Sequence, residues 1–247
     1  MNSSTTHIVT LDVDWAPDWA IDRTARILAE RGVKATWFVT HWSTGIADLA
    51  RRPDLFELGL HPNFLPNSSQ GNNPDEVLSY CRDMLPHARC VRTHSLFQSE
   101  RLLQHMANEY GLQIDCSLFV KDGSHLEPHA IKYHPGTAKI VRVPHFFQDN
   151  ICISSGELPS ISDLKYHGPG LKVFDFHPIH IALNSADMVG YDKLRNCGGI
   201  AGRSAQDAAA IENAGNGVGT FFCDLAGFLA GKTTFTISEY VDQWLGA

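Results

Sequence analysis

The sequence predicts an α/β fold in one domain spanning residues 1–247: a closed or nearly closed (β/α) barrel with about seven parallel strands. Three observations predict it. Short apolar runs bounded by turn residues alternate with helical patterns of about 10–15 residues, which is the rhythm of βαβ units. Polar residues able to do chemistry recur just after the apolar runs, where parallel barrels carry their sites. The chain has 247 residues and 43% hydrophobic content, enough for one large core.

The strands are expected at 7–13, 34–40, 56–60, 89–93, 113–119, 139–143 and 171–176. Helices are expected at 18–31, 43–51, 74–85, 98–110, 205–214, 218–230 and 237–245. Pro17 and Asp18 open the first helix, and Ile21, Ala25 and Leu28 form its apolar stripe. Gly32 stops it, as a glycine just past a helix end does. Ser99 or Gln98 opens the helix carrying Leu102, Leu103 and Met106, and Gly111 closes it. Residues 124–136 read as an irregular insertion, and 67–73 as a mobile polar loop or lid beside the site.

Composition narrows the function. A net charge of −7 without a basic run argues against nucleic acid as a partner. No window approaches the ~20 apolar residues of a membrane span. Met1 to Thr6 show no secretory leader pattern, so the expected location is the cytoplasm. The six cysteines, Cys81, Cys90, Cys116, Cys152, Cys197 and Cys223, show no CxxC pairing and read as free thiols. The spacing of Gly215, Gly217 and Gly219 follows no strand, so it is a weak phosphate cradle. His125, His129 and His134 share a loop without ligand spacing and read as surface residues.

The strand ends carry the chemistry. Asp12 and Asp14 close the first strand, and residues i and i+2 of a strand share a face. Two close carboxylates repel, so the pair calls for a cation or a shared proton: a metal site or a general acid/base pair. His61 and Asn63 follow the third strand, Arg92 and His94 the fourth, His145 and Asp149 the sixth, and Asp175 and His177 the seventh. Several such residues on one rim make a stronger signal than any one alone.

These residues resemble the motifs of the polysaccharide deacetylase family (NodB homology, carbohydrate esterase family 4), from about residue 7 to 183. Asp12-Val13-Asp14 resembles its first motif. The run from Gly32 to Thr40 closely matches its second strand, and Glu57 to His61 the entry to its second motif. Arg92 is similar to the third-motif arginine and Phe176-His177 to the fifth-motif histidine. Tyr110-Gly111 to Ser117 resembles the fifth strand. The chain looks like a divergent, WbmS-like branch. The resemblance implies a deformed, NodB-like barrel and a metal-dependent deacetylase. Asp12 would be the catalytic base, Asp14 a metal ligand, Arg92 the holder of Asp12, and His177 the acid for the leaving amine.

One departure matters. Leu65, followed by Pro66, stands where the family has its second metal histidine. His94, two residues after Arg92, is the replacement candidate, its alternatives being a substrate contact or a core histidine. Asp14, His61 and His94 would then hold a divalent metal, zinc first, with cobalt, nickel or manganese also compatible. Asp175 is expected to orient His177, and Asp149 to support it. His180 would face away if the strand continued. Trp15, Asn63 and His145 are substrate-binding candidates. Trp15 serves equally as core packing, Asn63 as a turn cap and His145 as a rim histidine. The expected substrate is an N-acetylated sugar, as a small molecule or oligosaccharide precursor. The alternatives are an amidase acting on a non-sugar linear C–N bond, or an inactive binding protein on the same fold. The oligomeric state is not legible.

Overall fold

Going round the sheet, the parallel strands follow one another in chain order: β1 (Thr5–Asp12), β2 (Ala35–Val39), β3 (Phe56–Leu60), β4 (Cys90–Val91) and β5 (Ile114–Asp115). The computed structural model describes residues 5–196 and 199–246, so Met1 to Ser4 and Cys197 lie outside the described residues. β6 (His129–Ile131), within the expected insertion, is antiparallel to β7 (Ile140–Arg142). β8 (Phe147–Gln148) and β9 (Gly170–Phe176) complete the sheet, and β9 pairs with β1.

β7 and β8 are the two halves of one extended run. Its first half bonds to β5, with Val143 N donating to Asp115 O at 2.8 Å. The run then stays beside the continuation of β5, with Phe119 bridged to His145. From Phe146, whose N–H donates to Val173 O at 2.8 Å, it pairs with β9 instead. One run therefore joins the two ends of the curled sheet, giving the seven expected strands in a deformed, NodB-like barrel.

The helices are α1 (Asp18–Ala29), α2 (Thr44–Ala50), α3 (Pro74–Met84), α4 (Glu100–Tyr110), α5 (Asp149–Ser154), α6 (Pro178–Ala182), α7 (Val189–Asn196), α8 (Ala205–Ala209), α9 (Val218–Leu229) and α10 (Ile237–Gly246). Ser99 caps α4, its hydroxyl accepting from Leu102 N, and Gly111 ends it in the left-handed region at φ 67°. α5, α6 and α7 have no counterpart in the sequence reading, and α8 stops five residues short of the expected helix.

Alternation along the strands sorts the core into two parts. Val9, Leu11, Trp37, Val39, Phe174 and Phe176 face outward and pack with Phe221, Phe222 and Leu225 of α9. Ile8, Phe38, Cys90, Ile114, Val141 and Val173 face inward, and Ile237 and Val241 of α10 pack against them. α10 thus seals the N-terminal end of the barrel. Its start is held by Glu57, whose Oε2 accepts from Ser238 N and from the Thr36 hydroxyl. Further up the same inward columns the residues turn polar: Thr10 and Asp12, His61, Arg92, His145, Asp175. The apolar lower layer is the floor of the site. Gly59 keeps it tight, since a Cβ there would lie 2.8 Å from Cys90 Sγ and 2.9 Å from the Phe38 ring.

Candidate active site and metal centre

Arg92 is fully buried at the centre of the barrel, its guanidinium 4.4 Å above the Phe38 ring. Its Nη1 donates to Asp12 Oδ1 at 2.9 Å, Asp175 Oδ1 at 2.6 Å and the Thr10 hydroxyl at 3.0 Å, and its Nε to Cys116 O at 3.2 Å. Burial pushes the carboxyl of Asp12 up, but Arg92, with His61 and His177, outweighs that and holds it below the usual carboxylate range. Asp175 goes the other way: burial, with the Asp12 charge nearby, pushes it well above that range despite Arg92. One arginine thus meets two carboxyl groups whose shifts run in opposite directions.

Asp14 is not part of the strand. β1 ends at Asp12, and Asp14 and Trp15 take the left-handed conformation, at φ 44° and 55°. The expected i, i+2 strand geometry is therefore replaced by a turn, pinned by Trp15 N on the Thr40 hydroxyl at 3.1 Å. The turn still brings the two carboxylates to one imidazole. His61 Nε2 lies 3.0 Å from Asp14 Oδ1 and 3.7 Å from Asp12 Oδ2. His94 Nδ1 reaches the same Asp14 Oδ1 at 2.9 Å. The ligand atoms of Asp14, His61 and His94 all lie within 4.8 Å of one another.

This donor set fits a divalent cation. His61 Nδ1 donates to Arg92 O at 2.7 Å, which leaves Nε2 as the lone-pair nitrogen of a neutral ring. That lone pair points at a carboxylate oxygen, so either a proton or a cation must sit between them. Without a cation the proton takes that place. Burial lowers the pKa of His61, but Asp12 and Asp14 outweigh it and the net shift is upward. Burial likewise opposes the Asp14 carboxylate, but the imidazoles of His177, His61 and His94 hold it well below its ordinary value.

His177 closes the site from the far side. Its Nδ1 donates to Asp149 Oδ1 at 2.6 Å, its N–H donates to Asp149 Oδ2 at 2.7 Å, and its Nε2 stands 3.4 Å from Asp14 Oδ2. Burial works against its charge, yet Asp149 and Asp14 hold its pKa well above 6.5. Asp175 does not meet it by a hydrogen bond among the described residues. Arg92 takes that carboxylate, and Asp149 does the orienting expected of Asp175.

Comparison with known proteins identifies the family of the chain. Residues 9–195 match the WbmS-like polysaccharide deacetylase family. The chain belongs to that family. It is also similar to the crystal structure of WbmS from Bordetella bronchiseptica, described as a polysaccharide deacetylase involved in O-antigen biosynthesis. The identity is 32% and the TM-score 0.78, with 90% of each chain covered. Two Bacillus anthracis structures match more distantly. A family 4 carbohydrate esterase shares 14% identity at TM-score 0.47, covering 97% of this chain and 83% of its own. A CE4 family pseudoenzyme shares 11% at TM-score 0.45, covering 97% and 69%. No curated protein matches the chain.

Other site candidates of this WbmS-like chain lie elsewhere than expected. His145 does not line the pocket. It is fully buried, stacked on Phe119 with ring centres 4.9 Å apart, and burial lowers its pKa to about 3. His180 does not sit on a continued strand. Pro178 starts α6, and His180 is buried there, its ring centre 5.7 Å from that of His177 and its Nδ1 3.1 Å from the Ser185 hydroxyl. Tyr191 of α7 packs against His180 with the rings tilted by 42° and their centres 4.9 Å apart. Asn63 caps a turn, its Oδ1 accepting from Leu65 N at 3.0 Å. Trp15 packs edge-on against His94, with ring centres 5.4 Å apart.

The 67–73 segment is not a free lid. Gln70 is buried beneath it, donating to Thr40 O at 2.9 Å and His61 O at 3.2 Å and accepting from Asn63 N at 2.6 Å. It ties the loop to the strand end that carries His61. The glycines at 217 and 219 have a packing role. They let α9 approach α6, since a Cβ on Gly217 would lie 2.1 Å from Asn184 O and one on Gly219 2.5 Å from Ile181 O. His125, His129 and His134 are exposed, as expected. Among the described residues no helix is long and apolar enough to cross a membrane.

Proposed function

We propose that this chain is a metal-dependent N-deacetylase that removes an acyl group, in the first place acetyl, from a sugar or polysaccharide precursor in the cytoplasm. The observation that carries the reading is the convergence of His61 and His94 on one oxygen of Asp14, with Asp12 on one side and His177 on the other. Asp14, His61 and His94 would hold the metal, zinc being the best fit to two imidazoles and a carboxylate. When bound, it supplies Lewis acidity toward the acyl oxygen and the attacking water.

The protein groups supply the proton transfers. Asp12, kept ionised by Arg92, takes the proton of the attacking water. His177, kept protonated by Asp149, gives a proton to the leaving nitrogen. Trp15 holds His94 in place and offers its remaining surface to the substrate.

Two features support a sugar over a non-sugar amide. Trp42 is 51% exposed and Phe97 47% exposed, on the segments that follow β2 and β4 at the same rim. Such exposed aromatic faces suit the C–H faces of sugar rings. The similar protein from Bordetella bronchiseptica is described as acting in O-antigen biosynthesis, which fits a surface-polysaccharide precursor. The joint presence of Asp12, Asp14, Arg92 and His177 argues against an inactive binding protein.

The deciding experiment is acetate release from N-acetylated sugars by the zinc-loaded protein, with a chelated control and an Asp12→Asn variant. Metal-dependent release that Asp12→Asn abolishes supports the reading. Release that persists fully after the metal is removed would overturn it.

A further inference from the structure

His94 differs from the other imidazoles of the site in how it is held. His61 and His177 each have Nδ1 fixed by a hydrogen bond, to Arg92 O and to Asp149 Oδ1. His94 turns its Nδ1 to Asp14, and among the described residues its Nε2 has no partner. Its ring is therefore placed by the packing of Trp15 and by its own backbone. That backbone is strained. His94 opens a tight turn in which Ser95 and Leu96 both take the left-handed conformation, at φ 55° and 53°. Two consecutive side-chain-bearing residues are unfavourable there, and such a turn keeps its shape only where its surroundings hold it. The near end is held by Thr93 N on the Ser117 hydroxyl at 2.9 Å and by His94 N on Pro62 O at 2.9 Å. The far end is held by the side chain of Gln98. Its Nε2 donates to Ser117 O at 2.7 Å, and its Oε1 accepts from Arg142 Nη2. Arg142 is itself fixed, its Nε donating at 2.8 Å to Oδ2 of the buried Asp115, its partner on the neighbouring strand.

We propose that Gln98 is a positioning residue for the metal centre: by tying the far end of the turn to Ser117 and Arg142, it keeps the His94 ring on Asp14. The proposal rests on the reading of His94 as a metal ligand and adds the group that holds this ligand in place. Three observations carry it. Both ends of the turn close on one residue, since the Ser117 hydroxyl takes Thr93 N and the Ser117 carbonyl takes the Gln98 amide. The Gln98 side chain has no local role, because Ser99 caps α4. Gln98 is exposed, yet both ends of its amide are bonded, to residues 19 and 44 positions away in the chain. An exposed glutamine ordinarily keeps its rotamer freedom, and here that freedom is given up to span from the turn to the sheet. The ligand position lost at Leu65 is thus replaced on a turn anchored to β5 and β7 through Asp115 and Arg142.

The test measures the zinc affinity of the full chain by competition with chelators of graded strength. It compares wild type, Gln98→Met, His94→Ala and the double variant, and follows unfolding of the metal-free proteins in parallel. Gln98→Met keeps the length of the side chain at an exposed position and removes both hydrogen bonds, so the fold is expected to hold. Zinc affinity should fall by about 10–100-fold in Gln98→Met, with the unfolding midpoint of the metal-free protein unchanged. In the His94→Ala background the same substitution should change affinity by less than about twofold, because its effect passes through the His94 ring. Wild-type affinity in Gln98→Met, while His94→Ala loses zinc, overturns the proposal and leaves the ligand reading standing. A loss of the same size in both backgrounds also overturns it, since Gln98 would then act on the fold as a whole. If His94→Ala binds zinc as tightly as wild type, the ligand reading fails and the proposal falls with it.

Discussion

His61 Nε2 faces Asp14 Oδ1 at 3.0 Å while the other nitrogen of the same ring donates to the carbonyl of Arg92 at 2.7 Å. The backbone bond fixes which nitrogen is free, and the carboxylate fixes what that nitrogen must meet. In the metal-free protein the gap holds a proton, so metal and proton compete for one position. Burial lowers the pKa of His61, but Asp12 and Asp14 raise it further, to a net value above 6.5. Zinc affinity should therefore keep rising with pH above 6.5 instead of levelling off there. Asp14, held well below 3.8, adds no titration in that range. Calorimetric titration of zinc between pH 6 and 8.5 in several buffers checks this through the proton released on binding. Affinity that is flat across the range would mean that His61 is not a ligand.

The third ligand is the sharper question, because Leu65 occupies the usual histidine position. His94→Ala, His61→Ala and Asp14→Ala should each lower metal affinity by more than the ~10–100-fold cost of losing an outer-shell partner. Trp15→Ala removes the ring packed on His94 and should fall within that smaller range. Metal content after dialysis, with circular dichroism to confirm folding, separates these cases. Full metal content in His94→Ala would remove it from the ligand set.

Asp12 and Asp175 share one guanidinium nitrogen, yet their substitutions should differ. Asp12→Asn keeps the hydrogen-bonding shape and should leave the fold and metal content intact while lowering kcat by about 10²–10⁴-fold, the usual worth of a general base. Asp175 is fully buried on Arg92 and, among the described residues, hydrogen-bonds none of Asp14, His61, His94 or His177. Asp175→Asn should therefore cost far less activity. Arg92→Met strands the Asp12 charge in the barrel and should destabilise the fold by about 3–5 kcal/mol, read as a urea midpoint. Equal losses of kcat in Asp12→Asn and Asp175→Asn would contradict the assigned roles.

In the proposed mechanism the Asp149–His177 pair sets the alkaline limit. A general acid must be protonated, so activity falls as pH rises through the pKa of His177. Burial opposes that proton, and Asp149 then Asp14 restore it, to well above 6.5. Removing the Asp149 charge lowers the His177 pKa, so Asp149→Asn should move the basic limb of kcat/KM to lower pH. The stability link has the same sign: the pair's contribution is complete below pH ~6.5 and is lost as pH rises through the raised folded value. An unmoved basic limb in Asp149→Asn would take His177 out of the acid role.

Much of the site was legible because its signals are local. Alternation along β1, β3 and β9 placed Asp12, His61 and His177 on the inward columns at the strand ends. What the sequence did not show depends on tertiary contacts. His145 follows a proline at a strand end and reads as a rim residue, but the run from 140 to 148 switches partners around it and keeps it inside. Asp175 has the periodicity to orient His177, and only the position of Arg92 across the barrel decides otherwise. His180 was legible in principle, since Pro178 is a helix-opening signal. Gln70 was not, because one glutamine in a polar loop has no period and no motif.

That glutamine makes the last prediction. Its amide bridges Thr40 O, His61 O and Asn63 N, joining the ends of β2 and β3 beneath the loop. Gln70→Ala leaves buried backbone groups without partners, at a cost of about 1–3 kcal/mol. The effect should be directional: the loop is released, and the carbonyl side of His61 loses a support. Hydrogen exchange should rise at residues 61–72 and stay unchanged in α9 and α10, which seal the far face and the far end of the barrel. KM should rise more than kcat falls, because Asn63 is displaced while Arg92 is held independently by Thr10 and Cys116, and Asp12 by Arg92. Uniform loss of protection across the whole barrel would instead make Gln70 a general stabiliser with no special tie to the site.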